Sequence, residues 1–464
     1  MIKKTRKKVF KGGKVFASGG FGCVFRPALK CKNNKSIPKN YVSKIMLTKY
    51  AEREDKLIKQ AYNVVKNIPN FKDYFLVYDY NVCEPEELSS SDLLDFDNKC
   101  KDVLPDHSYS LNKHLYNYKI ITFPDGGIDI AHWLDNINDE LYSIADLLFN
   151  INNSFINLLS NGISKLQKYN FYHMDVKAQN VLTNSNGTTA KLIDYGLAFK
   201  DESSNKVPNE LKYRTLLFNT PFTILLFQRP FIDILIRKLN KIFKDDENND
   251  LIHDKIGRKT LIKPVVLESL KDFIEEGNNS HWKYLQVFYR ELFELLFEES
   301  DEGDSVSHFN KMLSNDYYRF EFISEYITEA VNKFIDWNKF PFFFNEEELW
   351  SKVFKYNVDI FGFLTIYQNI VSSPSLKKNE YKSLNNWKYI SLFQKRIIEI
   401  LGEYLLNSEY AIKPFPINKI IQDLKHLGSI LKPILRRNNS KSKSVSIKNS
   451  NKTRKIYKTS KKLK

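Results

Sequence analysis

The chain has 464 residues, 42% hydrophobic and 27% charged, a balance that excludes a wholly disordered chain and suits a two-lobed enzyme or two to three domains. Its net charge of +16 sits at the ends: residues 1–14 hold seven Lys/Arg and residues 432–464 hold thirteen, with no acid in either stretch. The remainder carries 51 basic against 55 acidic residues, which argues against a basic groove in the fold and assigns the basic character to two tails.

Residues 1–14 read as a flexible basic arm, and no apolar run follows them, so no signal peptide is expected. Val15 to Phe25 (Val-Phe-Ala-Ser-Gly-Gly-Phe-Gly-Cys-Val-Phe) is β-prone at both ends with a glycine cluster between, the pattern of a hairpin whose turn comes close to something. It is not a Walker loop, because no Gly-x-x-x-x-Gly-Lys-Ser/Thr is present. Tyr41 to Met46 predicts a strand with Lys44 in its middle, and Ala51 to Ile58 is a helix-prone run of mixed charge. Residues 83–115 are polar and acidic, without a clear period from Pro85 to Asp95, and read as an insertion. The four cysteines, Cys23, Cys31, Cys83 and Cys100, show no CxxC or Cys/His ligand spacing. Four thiols in so long a chain predict a reducing compartment and no zinc site. Tyr118 to Phe123 predicts another strand, ending in Pro124-Asp125-Gly126-Gly127.

From Glu140 to Tyr169 apolar residues recur at 144, 147, 148, 151, 155, 158, 159, 163 and 166, the spacing of one buried helix. That helix leads into Tyr172 to Leu182, Tyr-His-Met-Asp-Val-Lys-Ala-Gln-Asn-Val-Leu, where Asp175 is followed by Lys177 two residues on and Asn180 five residues on. A Gly-bearing turn at Asn184 to Gly187 and a strand-like run at Ala190 to Ile193 then reach Asp194-Tyr195-Gly196. These offsets are expected to gather Asp175, Asn180 and Asp194 around one small volume. Asn180 and Asp194 are hard oxygen ligands of the kind Mg²⁺ requires. Asp175 is left to orient a hydroxyl nucleophile, and Lys177 to neutralise a transferring phosphoryl group. Downstream, Leu216 to Ile236 is the longest greasy stretch, but Asn219, Gln228, Arg229 and Asp233 make it too polar for a membrane span. An intracellular, cytoplasmic location is therefore expected. Residues 223–345 are helical patches separated by acidic loops at Lys244 to Asp250 and Glu298 to Asp304.

The stretch from Tyr172 to Gly196 resembles the catalytic loop and metal-binding turn of protein kinases, His-Arg-Asp-x-x-x-x-Asn followed by Asp-Phe-Gly. The texture of the chain, rich in Asn, Lys, Ile, Phe and Tyr, is similar to that of kinases encoded by giant DNA viruses, for which the host cytoplasm or the virion is the implied location. The likeness covers residues 15–220 well and 345–430 loosely. It implies an α+β, two-lobed protein-kinase-like fold. A small β-rich lobe over 15–122 would carry the polar insertion near 83–115. A large helical lobe over 123–431 would carry a helical insertion near 223–345, with a flexible basic tail over 432–464.

The resemblance also implies ATP and Mg²⁺ as cofactors. Ala17, Ser18, Gly19, Gly20, Phe21, Gly22 and Val24 would cover the nucleotide. Lys44 would hold the α/β-phosphates and pair with Glu54, favoured over Glu52 because Leu57 and Ile58 at i+3 and i+4 seat Glu54 on the buried face. Pro124 to Gly127 would be the hinge that binds adenine, with Asp129 near the ribose. Asn180 and Asp194 would hold Mg²⁺, Asp175 would accept the hydroxyl proton, and Lys177 would meet the γ-phosphate. Lys177 two residues after the aspartate is the serine/threonine pattern. Asp359, in Val-Asp-Ile-Phe-Gly, would brace the catalytic loop.

The chain departs from the family pattern at three places. Ala17 stands where the first loop glycine is usual, Met174 where an arginine is usual, and Asn219-Thr220-Pro221-Phe222 where Ala-Pro-Glu is usual. The last change puts the peptide-docking surface in doubt, and Met174 implies an enzyme active without a phosphate on residues 200–215. The resulting expectation is a serine/threonine protein kinase transferring the γ-phosphate of Mg-ATP to a protein hydroxyl. Two alternatives stand beside it: a pseudokinase-type binding module, though Lys44, Asp175 and Asp194 are all retained, and a kinase-fold enzyme acting on a small molecule or lipid. The tails suit an acidic partner or nucleic acid.

Overall fold

A computed structural model describes residues 13–19, 21–32, 37–137, 141–202, 206–244, 252–276, 285, 287–292, 316–376 and 387–435. The protein is α+β, with a small antiparallel sheet toward the N-terminus and a larger helical part. It packs as two compact units. One comprises Met1–Gly127 with Lys191–Lys200, the other Ile128–Ala190 with Asp201–Lys464.

The first unit is built on five strands, β1 (Lys14–Gly19), β2 (Gly22–Arg26), β3 (Tyr41–Leu47), β4 (Asn81–Cys83) and β5 (Tyr118–Pro124), in the order β1-β2-β3-β5-β4. Strand alternation divides their side chains between two faces. Cys23, Ile45, Ile120 and Cys83 pair across four neighbouring strands, and this row is buried. Val24, Lys44, Ile121 and Val82 form the adjacent row and face the other way. Helix α1 (Thr48–Val65) follows β3 directly and buries Ala51, Ile58, Ala61, Val64 and Val65, one stripe of an amphipathic helix.

The polar stretch after β4 contributes to this core. Leu88, Phe96, Cys100, Leu104 and Leu111 join Val15, Cys23, Phe25, Leu29 and Ile45 in one cluster, with the short helix α2 (Phe96–Cys100) among them. All four cysteines are bonded, Cys23 to Cys100 and Cys31 to Cys83, so the expectation of free thiols is corrected. Partners lie 77 and 52 residues apart, and the sheet brings them together, which no local spacing announces.

In the second unit, β6 (Ile128–Asp129) pairs with β8 (Val181–Thr183), and β7 (Phe171–Tyr172) leads into the loop between them. Helix α3 (Leu141–Asn157) continues through a wide turn at Leu158–Ile163 to Leu166, burying Ile144, Leu148, Ile151, Phe155, Leu159, Ile163 and Leu166. Helices α4 (Arg229–Ile242), α5 (Lys255–Glu275) and α6 (Asp316–Phe334) occupy the region read as a helical insertion. Ion pairs tie them together: Lys238 to Asp272 at 2.7 Å, Lys259 to Glu325 at 3.1 Å and Lys263 to Glu321 at 3.2 Å. Helix α7 (Lys355–Ser372) is buried almost all round, as a central helix must be, and α8 (Trp387–Leu405) packs beside it. A last helix spans 417–435. Most of the two acidic loops, 245–250 and 298–304, lies outside the described residues, as do the basic ends 1–12 and 436–464. Among the described residues no helix is long and apolar enough to cross a membrane.

Candidate active site

Two polar clusters carry the residues singled out in the sequence, one in each unit. In the first unit β1 and β2 form the glycine hairpin, with Ala17 opposite Val24, Ser18 opposite Cys23 and Gly19 opposite Gly22. A Cβ at Gly22 would stand 2.4 Å from the Ile45 carbonyl oxygen, so only glycine lets β2 pass so close to β3. Among the described residues, a Cβ at Gly19 would meet nothing within 4 Å. Phe21 is exposed at the turn, its ring 5.0 Å from that of Tyr50, and Gly20 lies outside the described residues.

Lys44 extends the Ala17–Val24 row by one strand. Its Nζ donates to Glu54 Oε2 at 2.7 Å, and both side chains are only 13% exposed. Glu52, two helical positions away on the wet side, pairs instead with Lys119 at 2.9 Å. Burial works against the Lys44 charge, but Glu54 and Asp194 outweigh it and hold its pKa above the ordinary lysine value. Asp194 therefore belongs to this cluster. It has a left-handed backbone (φ 61°), and Gly196 N donates to its Oδ1 at 3.2 Å. The residue beside it, Tyr195, is buried, and its hydroxyl donates to Leu192 O at 3.3 Å. Leu192 is pinned in turn by backbone bonds with Tyr74 and Leu76.

The second unit holds Asp175, Lys177 and Asn180. Here the backbone after β7 is braced from α7: Asp359 Oδ2 accepts from His173 N at 2.9 Å, and Asp359 Oδ1 accepts from Met174 N at 2.8 Å. Met174 takes the left-handed region (φ 64°), uncommon for a side chain of its size, and the two bonds hold it there. Asp359 is fully buried, and burial pushes its carboxyl above the ordinary value against the pull of His173, the two N–H groups and Arg214. Asp175 follows at once. Its Oδ2 accepts from Lys177 Nζ at 2.8 Å and Asn180 Nδ2 at 2.9 Å, and its Oδ1 accepts from Asn219 Nδ2 at 2.9 Å.

These bonds fix the two amides. Asn180 Nδ2 also donates to the Asp175 carbonyl at 2.8 Å, so both its partners are acceptors and its Oδ1 must point away from Asp175. Asn219 Nδ2 lies likewise between Asp175 Oδ1 and Val176 O, the latter at 3.1 Å, and its own Oδ1 is buried with no partner among the described residues. Such an orphan costs about 1–3 kcal/mol. Asn219 was noted in the sequence as a polar break in a greasy stretch and as a departure from a closing motif, not as a site residue. Its contact with Asp175 spans 44 residues, and nothing in its neighbours signals it. Gly362 of α7 completes the support, because a Cβ there would stand 2.5 Å from Val176 O and 3.0 Å from Asn219 O.

Asp129, expected near a ribose, caps the helix Ile130–Asp135 through Oδ1 with His132 N at 3.1 Å, and its Oδ2 meets His132 Nδ1 at 2.8 Å. The turn Pro124 to Gly127 is held by Asp125 Oδ1, which accepts from Arg26 at 2.8 Å and from Gly127 N at 3.0 Å. No family model matches the chain.

Proposed function

We propose that the protein is a Mg-ATP-dependent phosphotransferase of the serine/threonine protein kinase type. The observation that carries this reading is the bonding of Asp175. A carboxylate has about four acceptor positions. Three hydrogen bonds reach this one, two on Oδ2 and one on Oδ1, and the side chain is 10% exposed. The remaining position on Oδ1 suits a hydroxyl that must be oriented and relieved of its proton, while Lys177 sets a positive charge beside it.

The residues present fit the cofactors. Asn180 turns its amide oxygen away from Asp175, giving a hard donor of the kind Mg²⁺ takes, and Asp194 offers a carboxylate. Lys44, held charged by Glu54 and Asp194, suits phosphate oxygens, and the space beside Gly19 among the described residues leaves room for backbone amides to approach them. Mg²⁺ bound with ATP would supply charge neutralisation on the phosphates. The chain's own part is to position and polarise: Asp175 orients the acceptor hydroxyl and takes its proton, Lys177 offsets charge on the transferring group, and Asn219 and Asp359 keep Asp175 in register.

The test offers radiolabelled ATP and Mg²⁺ to the protein with a mixed Ser/Thr peptide library and, separately, with small-molecule hydroxyl acceptors. Transfer to peptide that disappears in Lys44→Met and Asp175→Asn supports the proposal. Transfer only to a small molecule replaces the acceptor class, and turnover that survives in both variants refutes the assignment.

A further inference from the structure

Both disulfides sit on one structural row. Cys23 and Cys83 are the two ends of the buried cross-strand row Cys23–Ile45–Ile120–Cys83, and each is bonded outward, to Cys100 of α2 and to Cys31 in the segment before β3. Cys23–Cys100 thereby fastens the segment between β4 and β5 to the sheet it covers, and Cys31–Cys83 ties the segment before β3 to the last residue of β4. Cys31–Cys83 closes its stem, where Lys32 N donates to Glu84 O and Glu86 N to Lys30 O, each at 2.9 Å. Cys23–Cys100 holds its middle beneath the glycine hairpin, one residue from Gly22, whose backbone passes against Ile45 next to Lys44.

The two bonds differ in access. Cys23 and Cys100 are wholly buried, whereas Cys31 keeps 2% and Cys83 8% of its surface, and Lys30 and Lys32, which flank Cys31, pair with Glu86 and Glu84 at 3.5 Å. Thiol exchange needs a thiolate to reach a sulfur. The stem bond is therefore the first a reductant reaches, and reduction of Cys23–Cys100 is the step that frees the segment.

We propose that the first unit is a thiol-controlled module, in which the disulfides clamp residues 84–117 over the sheet and reduction by a dithiol unclamps them and lowers nucleotide affinity. This rests on the nucleotide-binding reading of Lys44 and the glycine hairpin. In each step a reductant thiolate attacks one cysteine sulfur, breaking the S–S bond and forming a mixed disulfide. The reductant's second thiol then displaces the remaining cysteine. Two cysteine thiols and one oxidised dithiol result, so two electrons and two protons have moved to the protein.

The experiment uses the full chain prepared without reductant and the same chain treated with dithiothreitol. Thiol titration, tryptic cleavage after Lys99, Lys101 and Lys113, and binding of a fluorescent ATP analogue with Mg²⁺ are compared. Expected are no titratable thiols before reduction and four after, and cleavage faster and binding weaker by about tenfold or more. Both effects should reverse with glutathione disulfide. The variant Cys23→Ser/Cys100→Ser should be cleaved rapidly from the outset. Free thiols in the untreated folded chain overturn the proposal, as does equal cleavage in the two states or faster cleavage with unchanged affinity. If the analogue binds in neither state, the nucleotide reading fails, and the cleavage rates alone decide the clamp: about tenfold faster on reduction upholds it, equal rates overturn it.

Discussion

Replacing Asp359 by asparagine tests how the second cluster is held. The carboxylate accepts from two consecutive backbone N–H groups at 2.9 and 2.8 Å, in a fully buried setting. Asparagine keeps the shape but has one acceptor, so one N–H would face an amide N–H₂. A hydrogen bond to a charged group is worth about 1.5–3 kcal/mol, and the exposed mismatch adds to that, while relief of a buried charge subtracts. A net loss of about 2–3 kcal/mol of stability follows, a substantial part of the roughly 5–15 kcal/mol a domain has. The same bonds hold Met174 in its left-handed conformation, and without one of them the loop relaxes away from the geometry that presents Asp175. Carried wholly into the barrier, about 2–3 kcal/mol lowers turnover roughly 30- to 150-fold. Denaturant unfolding and steady-state transfer measure the two losses. Lys44 and Glu54 lie in the other unit, so nucleotide-analogue binding should hold. The pH dependence has a definite sign. Burial raises the Asp359 pKa, so the stability it contributes is present below the ordinary value of 3.8 and lost as pH rises through its higher folded value. The wild-type advantage over Asp359→Asn should shrink over that rise. Stability within about 0.5 kcal/mol of wild type together with near-normal turnover would refute the bracing role.

Other perturbations follow from the same contacts. Lys44→Met should abolish detectable transfer. In wild type the stability from Lys44 is present below the ordinary 10.5 and lost as pH rises through its raised folded value, so the variant should lack that alkaline loss in a pH series of melts. Gly362→Ala gains about 1 kcal/mol of helix propensity but places a methyl 2.5 Å from Val176 O, and overpacking of about 1–3 kcal/mol should win. A melting temperature above wild type would show that the clash is absorbed. Removing 436–464 should weaken nucleic-acid adhesion and flatten its salt dependence, leaving the helix 417–435 in place; binding unchanged by the deletion would exclude the tail. Substituting Ser203, Ser204, Tyr213 and Thr215 together by Ala or Phe should leave turnover within a few-fold, because Met174 offers no cation for a loop phosphate and Arg214 already acts on buried Asp359. A fall of about a hundredfold, worth about 2.7 kcal/mol, would show that a phosphate is needed.

Contacts set by local offsets were readable from the chain, and those set by register or by distant packing were not. Asp175, Lys177 and Asn180 meet because six consecutive residues carry all three, and no other element has to be placed first. Glu54 reaches Lys44 because helical periodicity puts it on the face that Leu57 and Ile58 help define, while Glu52 points to Lys119. Asn219 carries no such mark. Its amide meets Asp175 only because α7 presents a glycine where the two backbones cross, a coincidence of three segments 44 and 143 residues apart along the chain. The cysteines fail for the same reason. Strand alternation puts Cys23 on the core face, but its partner lies in a stretch whose apolar residues, Leu88, Phe96, Leu104 and Leu111, follow no period because short turns rather than one helix deliver them. A polar average conceals such a segment, since a few well-spaced side chains are enough to cover one face of a sheet. The stretch read as an insertion supplies part of the sheet's core, and Cys23–Cys100 ties it there.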